Sequence, residues 1–144
     1  MDFQHGKYLG VDYGDVRTGL AECDISGTLA GGIGTIKEGG MRKTAIRVAK
    51  EAEDRACKKI IIGLPKNMDG SEGERAQVIR AFAKLLSEYT SIPYDFCDER
   101  MSTMVAYRFL DGGEVYGKRR KDVIDTLSAE IILQSYIDRE RRTD

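Results

Sequence analysis

The sequence is poor in the residues that cross-link small proteins or bind soft metals. It has three cysteines and one histidine in 144 residues. Cys23, Cys57 and Cys97 are odd in number, far apart and never arranged as CxxC, so they indicate neither a disulfide framework nor a zinc site. Three free thiols fit a reducing cytosol. His5 lies in a stretch without any sign of order, and we interpret it as incidental.

Long apolar runs and a strong excess of one charge are also missing. The longest apolar runs, such as residues 60–62, are far too short to span a membrane, and no signal peptide opens the chain. A cytoplasmic protein is therefore expected. The net charge of −1 does not by itself predict a nucleic-acid-binding protein. Basic residues nevertheless cluster at 118–121, where phosphate binding and solvated surface are equally good interpretations. A second cluster, for which solvated surface is favoured, contains Arg139, Arg141 and Arg142.

Periodicity predicts one mixed α/β domain that spans residues 1–144. The expected strands cover residues 7–13, 17–23, 27–36, 59–64 and 94–97. The expected helices cover 41–56, a segment that starts at a capping box of Ser71 and Glu74, about 102–110, and 121–138. Tight turns join the first three strands, whereas helical crossovers precede the last two. This order predicts a mixed five-stranded sheet, with a three-strand antiparallel meander and two parallel strands, flanked by helices.

Carboxylates stand where two of the predicted strands end and where the last helix begins. Asp12 ends the first strand, Asp98 and Glu99 follow the last one, and Asp122 and Asp125 share one face of the helix. Taken alone, Asp12 fits a turn and Asp122 fits a favourable charge at a helix start. Taken together, oxygen ligands from separate elements suit Mg²⁺ or Mn²⁺, and a pair of such ions can cleave a phosphodiester.

Four segments of the chain resemble the motifs of one nuclease family. Residues 8–19 contain the pattern GxDxGxxRxG, and residues 63–73 read GLPKNMDGSEG against the family's GLPxNMDGSEG. Residues 98–103 fit DERxxT, and residues 119–138 fit a basic loop followed by a terminal helix. The motifs occur in the family's order and over nearly the whole chain. The sequence thus resembles the YqgF family of nucleases proposed to process pre-16S rRNA.

The resemblance implies a ribonuclease H-like fold and a cytoplasmic, metal-dependent hydrolase that trims the 5′ end of pre-16S rRNA in ribosome biogenesis. Mg²⁺ or Mn²⁺ would be the cofactor. Asp12, Glu99 and Asp125 match the family's acidic triad and would bind the metal. The related RuvC resolvases carry an acid at the end of the central strand, where this chain has Gly63-Leu64-Pro65. The second acid must then be Glu99 or its neighbour Asp98.

The loop at 63–73 lies between a strand and a helix start, where backbone amides can meet a phosphate. Substrate contact is favoured over a purely structural loop, because the polar side chains exceed what a turn needs. The candidate contacts to nucleic-acid phosphates are Arg17, Lys66, Asn67, Ser71, Arg100, Lys118, Arg119, Arg120 and Lys121.

Three other functions fit parts of the pattern. A Holliday-junction resolvase acting on four-way DNA would use the same chemistry on the same fold. Because a resolvase cuts two strands symmetrically, a homodimer rather than a monomer would favour it. A nucleotide-binding site like that of the actin and sugar-kinase superfamily needs two domains, for which the chain is too short. A non-catalytic RNA-binding module would show no metal-dependent turnover.

Overall fold

The computed structural model describes residues 6–99 and 117–142, with the side chains of the last helix described from residue 124 to 140. The strands are β1 (Tyr8–Asp12), β2 (Thr18–Cys23), β3 (Ala30–Ile36), β4 (Lys59–Leu64) and β5 (Tyr94–Asp98). The helices are α1 (Met41–Asp54), α2 (Glu74–Leu86) and α3 (Gly117–Arg142). His5, Arg100 and the helix expected near 102–110 lie outside the described residues. Within the described ranges, no helix is long and apolar enough to cross a membrane.

The five strands form one mixed sheet in the order β3-β2-β1-β4-β5. β2 pairs antiparallel with both β1 and β3, while β4 pairs parallel with both β1 and β5. The predicted meander with two added parallel strands is therefore confirmed. β4 lies between the other two parallel strands, and helices cover both of its faces, so Ile60, Ile61 and Ile62 are all fully buried. Burial of each such side chain contributes about 1.5–3 kcal/mol, so this strand stabilises both sides of the sheet.

Each face of the sheet has its own hydrophobic core. On one face, α1 and α2 pack against Leu9, Val11, Ile60, Ile62 and Leu64. On the other face, α3 packs against Tyr8, Ala21, Ile61 and Cys97. Successive side chains of a strand point to opposite faces, so this division fixes the face on which each strand-end residue lies.

Small residues on one face of the sheet let α3 rest directly on the strands. Gly10, Ala21 and Gly32 are cross-strand neighbours in β1, β2 and β3. A Cβ atom at Gly10 would lie 2.8 Å from Cβ of Leu133 and 2.9 Å from the carbonyl oxygen of Ala129, which is too close for any larger residue. The distance between α3 and β1 is therefore set by the absence of a side chain.

The start of α2 differs from the prediction. Gly73 is the N-terminal cap and makes no side-chain capping bond, so the predicted capping box of Ser71 and Glu74 is wrong. The Ser71 hydroxyl instead donates to Asp69 (2.6 Å) and accepts from the Asn67 side-chain amide (2.9 Å). These bonds close the preceding loop and leave Ser71 outside the helix.

Two other boundaries differ by a few residues. β3 begins at Ala30 rather than at residue 27. The turn before it is extended because the Asp24 carboxylate accepts from the amides of Thr28 (2.7 Å) and Leu29 (3.1 Å). α3 is longer at both ends than the expected 121–138.

All three cysteines are buried free thiols. Burial raises the pKa of Cys57 and of Cys97 to about 11, and it also raises the pKa of Cys23. The thiols therefore stay protonated at neutral pH and behave as small apolar residues of the two cores.

Candidate active site

Alternation along β5 separates the two candidate acids at its end. Cys97 packs in the core beneath α3, whereas Phe96 packs in the core beneath α1 and α2. The Glu99 amide donates to the Leu64 carbonyl (3.1 Å), so strand pairing continues past Asp98. Glu99 therefore lies on the α3 face of the sheet, and Asp98 lies on the opposite face.

Asp12 lies on the same face as Glu99. It ends β1, two residues after Gly10, which packs beneath α3. Asp12 pairs with Gly19 of β2, and a Cβ atom at Gly19 would overlap the carbonyl oxygen of Asp125. The helix backbone at Asp125 thus rests on the strand residue beside Asp12. Carboxylates from β1, from the end of β5 and from α3 are brought together at the carboxyl end of the parallel strands.

Two neighbouring carboxyl groups perturb Asp12. The pKa of Asp12 is raised well above its ordinary value, first by burial, and then by the negative charges of Glu99 and Asp125 and by a hydrogen bond with Glu99. A hydrogen bond between two carboxyl groups needs a proton on one of them. In the absence of a cation, the site therefore favours a shared proton over three negative charges. A positive charge also lies near Asp125, because Nε of Arg17 is 3.9 Å from its Oδ2.

The chemistry of this donor set fits a hard divalent cation. Carboxylate oxygens are the ligands that Mg²⁺ and Mn²⁺ prefer, and such an ion neutralises a partly buried acidic cluster. In the described part of the chain, no three acidic, histidine or cysteine side chains already stand in the geometry of a metal site. Binding an ion therefore requires loss of the shared proton and some movement of the carboxylates.

Comparison with known proteins decides the family. The sequence profile of the RuvX family, described as Holliday junction resolvase, matches residues 6–139. The chain belongs to the RuvX family. It is 39% identical over 138 residues to a protein of Caldanaerobacter subterraneus, covering 95% of this chain and 99% of that protein. A Clostridioides difficile relative is 40% identical, covering 92% of this chain and 94% of its own, and a Paracoccus denitrificans relative is 42% identical, covering 94% and 86%. All three are named as candidate pre-16S rRNA nucleases, so the resemblance seen in the sequence is confirmed.

Solved structures confirm the fold. RuvC of Thermus thermophilus in complex with a Holliday junction substrate matches with a TM-score of 0.60 at 12% identity, covering 96% of this chain and 98% of that chain. The fowlpox virus resolvase in complex with Holliday junction DNA gives a TM-score of 0.53 at 11% identity, with coverage of 93% and 98%. At this identity the likeness concerns the fold alone, and it bears out the ribonuclease H-like architecture expected from the sequence.

Arg75 is a residue of this RuvX protein's candidate site that the sequence did not reveal. It lies in the first turn of α2 and donates to the Tyr13 carbonyl (2.8 Å) and to Asp15 (3.0 Å). Its guanidinium carbon lies 5.5 Å from the centroid of the Tyr13 ring. Arg75 thereby ties α2 to the loop that follows Asp12, and its charge acts to lower the pKa of Asp12. No local pattern could have indicated this contact, since Tyr13 is 62 residues away along the chain.

The loop after β4 is held together by its own hydrogen bonds. The Asn67 amide donates to the Ser71 carbonyl (2.8 Å), and the Gly70 amide donates to the Asn67 carbonyl (2.8 Å). The Asn67 side chain donates to the Ser71 hydroxyl (2.9 Å). Two of the predicted substrate contacts thus bond to each other, which supports the structural alternative for their side chains. The loop follows β4 beside the end of β1, and the candidate contacts Lys66 and Arg17 are partly buried there.

The basic run lies only partly within the described structure. The backbone of Lys118, Arg119, Arg120 and Lys121 forms the first turns of α3. The side chains of these four residues, and those of Asp122, Arg141 and Arg142, lie outside the described residues. Lys121 precedes Asp125 by about one helical turn, so the basic run and a candidate acid share one end of the helix. Arg139 is exposed near the other end.

Proposed function

We propose that this RuvX family member is a metal-dependent nuclease that hydrolyses phosphodiester bonds and processes the 5′ end of pre-16S rRNA in the cytoplasm. The observation that carries the proposal is the convergence of Asp12, Glu99 and Asp125 at one end of the sheet, where burial and mutual repulsion raise the pKa of Asp12. The family description supports cleavage of nucleic acid, and the names of the relatives support rRNA as the substrate.

Asp12, Glu99 and Asp125 would hold Mg²⁺ or Mn²⁺. When bound, such ions activate the attacking water and stabilise the leaving oxygen of a phosphodiester. Asp12 interacts with both other carboxyl groups, which makes it the central ligand of the set. The approach of Asp125 is fixed by backbone packing on Gly19. Ligands held in this way by regular elements lose little freedom when a cation binds.

Arginine side chains next to the acids orient the substrate. Arg17 lies beside Asp125, and its guanidinium suits the oxygens of a phosphate. Arg75 holds the loop after Asp12 in place from α2. Further contacts to backbone phosphates are proposed for Lys66, Arg100, Lys118, Arg119, Arg120 and Lys121. Such contacts fix the position of the substrate without reading its sequence.

A cleavage assay with Mn²⁺ or with EDTA tests the proposal on pre-16S rRNA fragments, RNA duplexes and four-way DNA junctions. We expect metal-dependent cleavage at the 5′ end of the rRNA fragment, and a loss by orders of magnitude in Asp12→Asn. Asp54→Asn is the control, because Asp54 is an exposed carboxylate that pairs with Lys50 on the surface of α1. Cleavage by Asp12→Asn at the wild-type rate would refute the acidic centre.

Holliday-junction resolution is the second candidate, because the RuvX family description names it. The same acidic centre would serve, but symmetric cleavage of a four-way junction needs two copies of the site related by a twofold axis. A homodimer in solution that cleaves junctions faster than rRNA fragments would favour resolution. A monomer that prefers the rRNA fragment would favour processing of pre-16S rRNA.

A further inference from the structure

We propose that Gly63 is a positioning residue: because β4 carries no side chain at this point, Glu99 can reach Asp12 from the neighbouring edge strand. The inference rests on the proposed function, in which the Glu99 carboxylate belongs to the metal site. Gly63 would then affect the reaction by placing the Glu99 carboxylate, without itself contacting metal or substrate.

The space above Gly63 is filled by the Glu99 side chain. A Cβ atom at position 63 would lie 2.9 Å from both Cγ and Cδ of Glu99, and 2.6 Å from Cδ1 of Ile132. Gly63 pairs with Cys97, and the next pair, Leu64 with Asp98, carries the strand to Glu99. The Glu99 side chain therefore crosses from β5 over β4, on its way to the hydrogen bond with Asp12.

The backbone at Gly63 does not itself require glycine. Gly63 is not among the glycines with positive φ in the described chain, and it lies in a regular parallel strand that any residue can adopt. Glycine inside a strand lowers stability relative to alanine, because it loses more freedom on folding. Glycine is therefore required at this position because it has no side chain, and not because the backbone adopts a special conformation.

The obstacles at Gly63 differ from those at Gly10 and Gly19, which also lie beneath α3. At Gly10 and Gly19, the atoms that a Cβ would meet include backbone carbonyl oxygens of α3, which cannot move without the helix. At Gly63 they are side-chain atoms of Ile132 and Glu99, and the partly buried Glu99 side chain can rotate to another rotamer. Alanine at position 63 should therefore leave the fold intact and displace the Glu99 carboxylate.

Three variants separate the two neighbours of Gly63. Gly63→Ala introduces the Cβ atom, and Gly63→Ala/Ile132→Val also removes the Cδ1 atom that this Cβ would meet in the core. Gly31→Ala is the matched control, because a Cβ at Gly31 has no neighbour within 4 Å. For each protein, the measurements are the melting temperature, the ¹³C resonance of the Glu99 carboxyl in EDTA, the Mn²⁺ affinity by calorimetry, and the cleavage rate. Glu99→Gln assigns the resonance.

We expect Gly63→Ala to melt within a few degrees of wild type and to shift the Glu99 resonance. Its Mn²⁺ affinity and its cleavage rate should each fall about 10- to 100-fold, which is the usual effect of changing a residue that orients a metal ligand. The double variant should not recover, because the added Cβ still meets Glu99. Gly31→Ala should match wild type in all four measurements.

An unchanged Glu99 resonance in Gly63→Ala would overturn the inference, and so would full recovery of Mn²⁺ affinity in the double variant, since the loss would then come from Ile132. The resonance is read without metal or substrate. If wild type neither binds Mn²⁺ nor cleaves nucleic acid, the proposed function fails, whereas the resonance still decides whether Gly63 places the Glu99 carboxyl.

Discussion

Replacing Asp12 by asparagine should stabilise the metal-free protein, although it removes the central candidate ligand. Burial, Glu99 and Asp125 raise the pKa of Asp12 above its ordinary value of 3.8, so the folded protein keeps a proton that the unfolded chain has released. Stability of the wild type must therefore fall as pH rises from the ordinary pKa to the raised one, by about 1.4 kcal/mol for each unit between them. Asparagine has no charge to bury, and its amide can donate to Glu99 in place of the shared proton.

Urea unfolding of both proteins in EDTA between about pH 4 and pH 8 measures this difference. At the low end, close to the ordinary pKa, the unfolded chain still holds the Asp12 proton in part, so the two proteins should differ least. The advantage of Asp12→Asn should then grow with pH and become constant above the raised pKa. Asp54→Asn, which changes an exposed carboxylate that pairs with Lys50, should show no such growth.

Added Mn²⁺ should reverse the order of stability. An ion that binds only the folded site stabilises it by about 2.7 kcal/mol at one hundred times its dissociation constant, which corresponds to on the order of 10 °C in Tm for a domain of this size. Mn²⁺ should raise the Tm of Asp12→Asn much less. If the asparagine variant is no more stable than wild type in EDTA at neutral pH, and Mn²⁺ stabilises both equally, the coupling of these carboxyl groups and the metal site are both wrong.

The loops and the helix around the acids carry the other predictions. Arg75→Ala should lower the free energy of unfolding by about 1 kcal/mol, and it should slow cleavage by more than this loss of stability explains. Arg75→Lys should not restore the cleavage rate, because lysine lacks the planar guanidinium that bonds both Tyr13 and Asp15. Asn67→Ala should lower Tm and turnover together, by about 0.5–1.5 kcal/mol in stability, whereas lost turnover at unchanged Tm would mark a direct substrate contact. Neutralising residues 118–121 together should lower the slope of log affinity against log salt by about 0.7–0.9 for each phosphate that the protein no longer binds, and an unchanged slope would make the run solvated surface.

The sheet could be predicted because its strands carry local signatures. The β-branched run at 59–64 indicated a strand covered on both faces, and Ile60, Ile61 and Ile62 are indeed buried from both sides. The capping box failed for a reason that is also local. The Ser71 hydroxyl has Asp69 within reach two residues earlier, and this bond competes with the helix amides for the same side chain.

The candidate site could be predicted only in part. The motifs brought Asp12, Glu99 and Asp125 to attention, but they left open whether Glu99 or its neighbour Asp98 is the second acid. To choose between Asp98 and Glu99, one must know which helix covers which face of β5. Only the burial of Cys97 beneath α3 gives this information. The role of Arg75 could not be predicted from the sequence at all, because its partners are set by tertiary packing.

The glycines beneath α3 divide into two kinds, and the division can be tested. At Gly19 the obstacle to a side chain is the carbonyl oxygen of Asp125, so alanine there must push the helix away from β2 and carry the Asp125 carboxylate away from Asp12. Gly19→Ala should therefore lower Tm and Mn²⁺ affinity together, because one movement causes both losses. Gly63→Ala should lower the affinity with little change in Tm. If thermal scans and calorimetry show that Gly19→Ala keeps wild-type stability and binds Mn²⁺ normally, then α3 does not set the distance between the two acids.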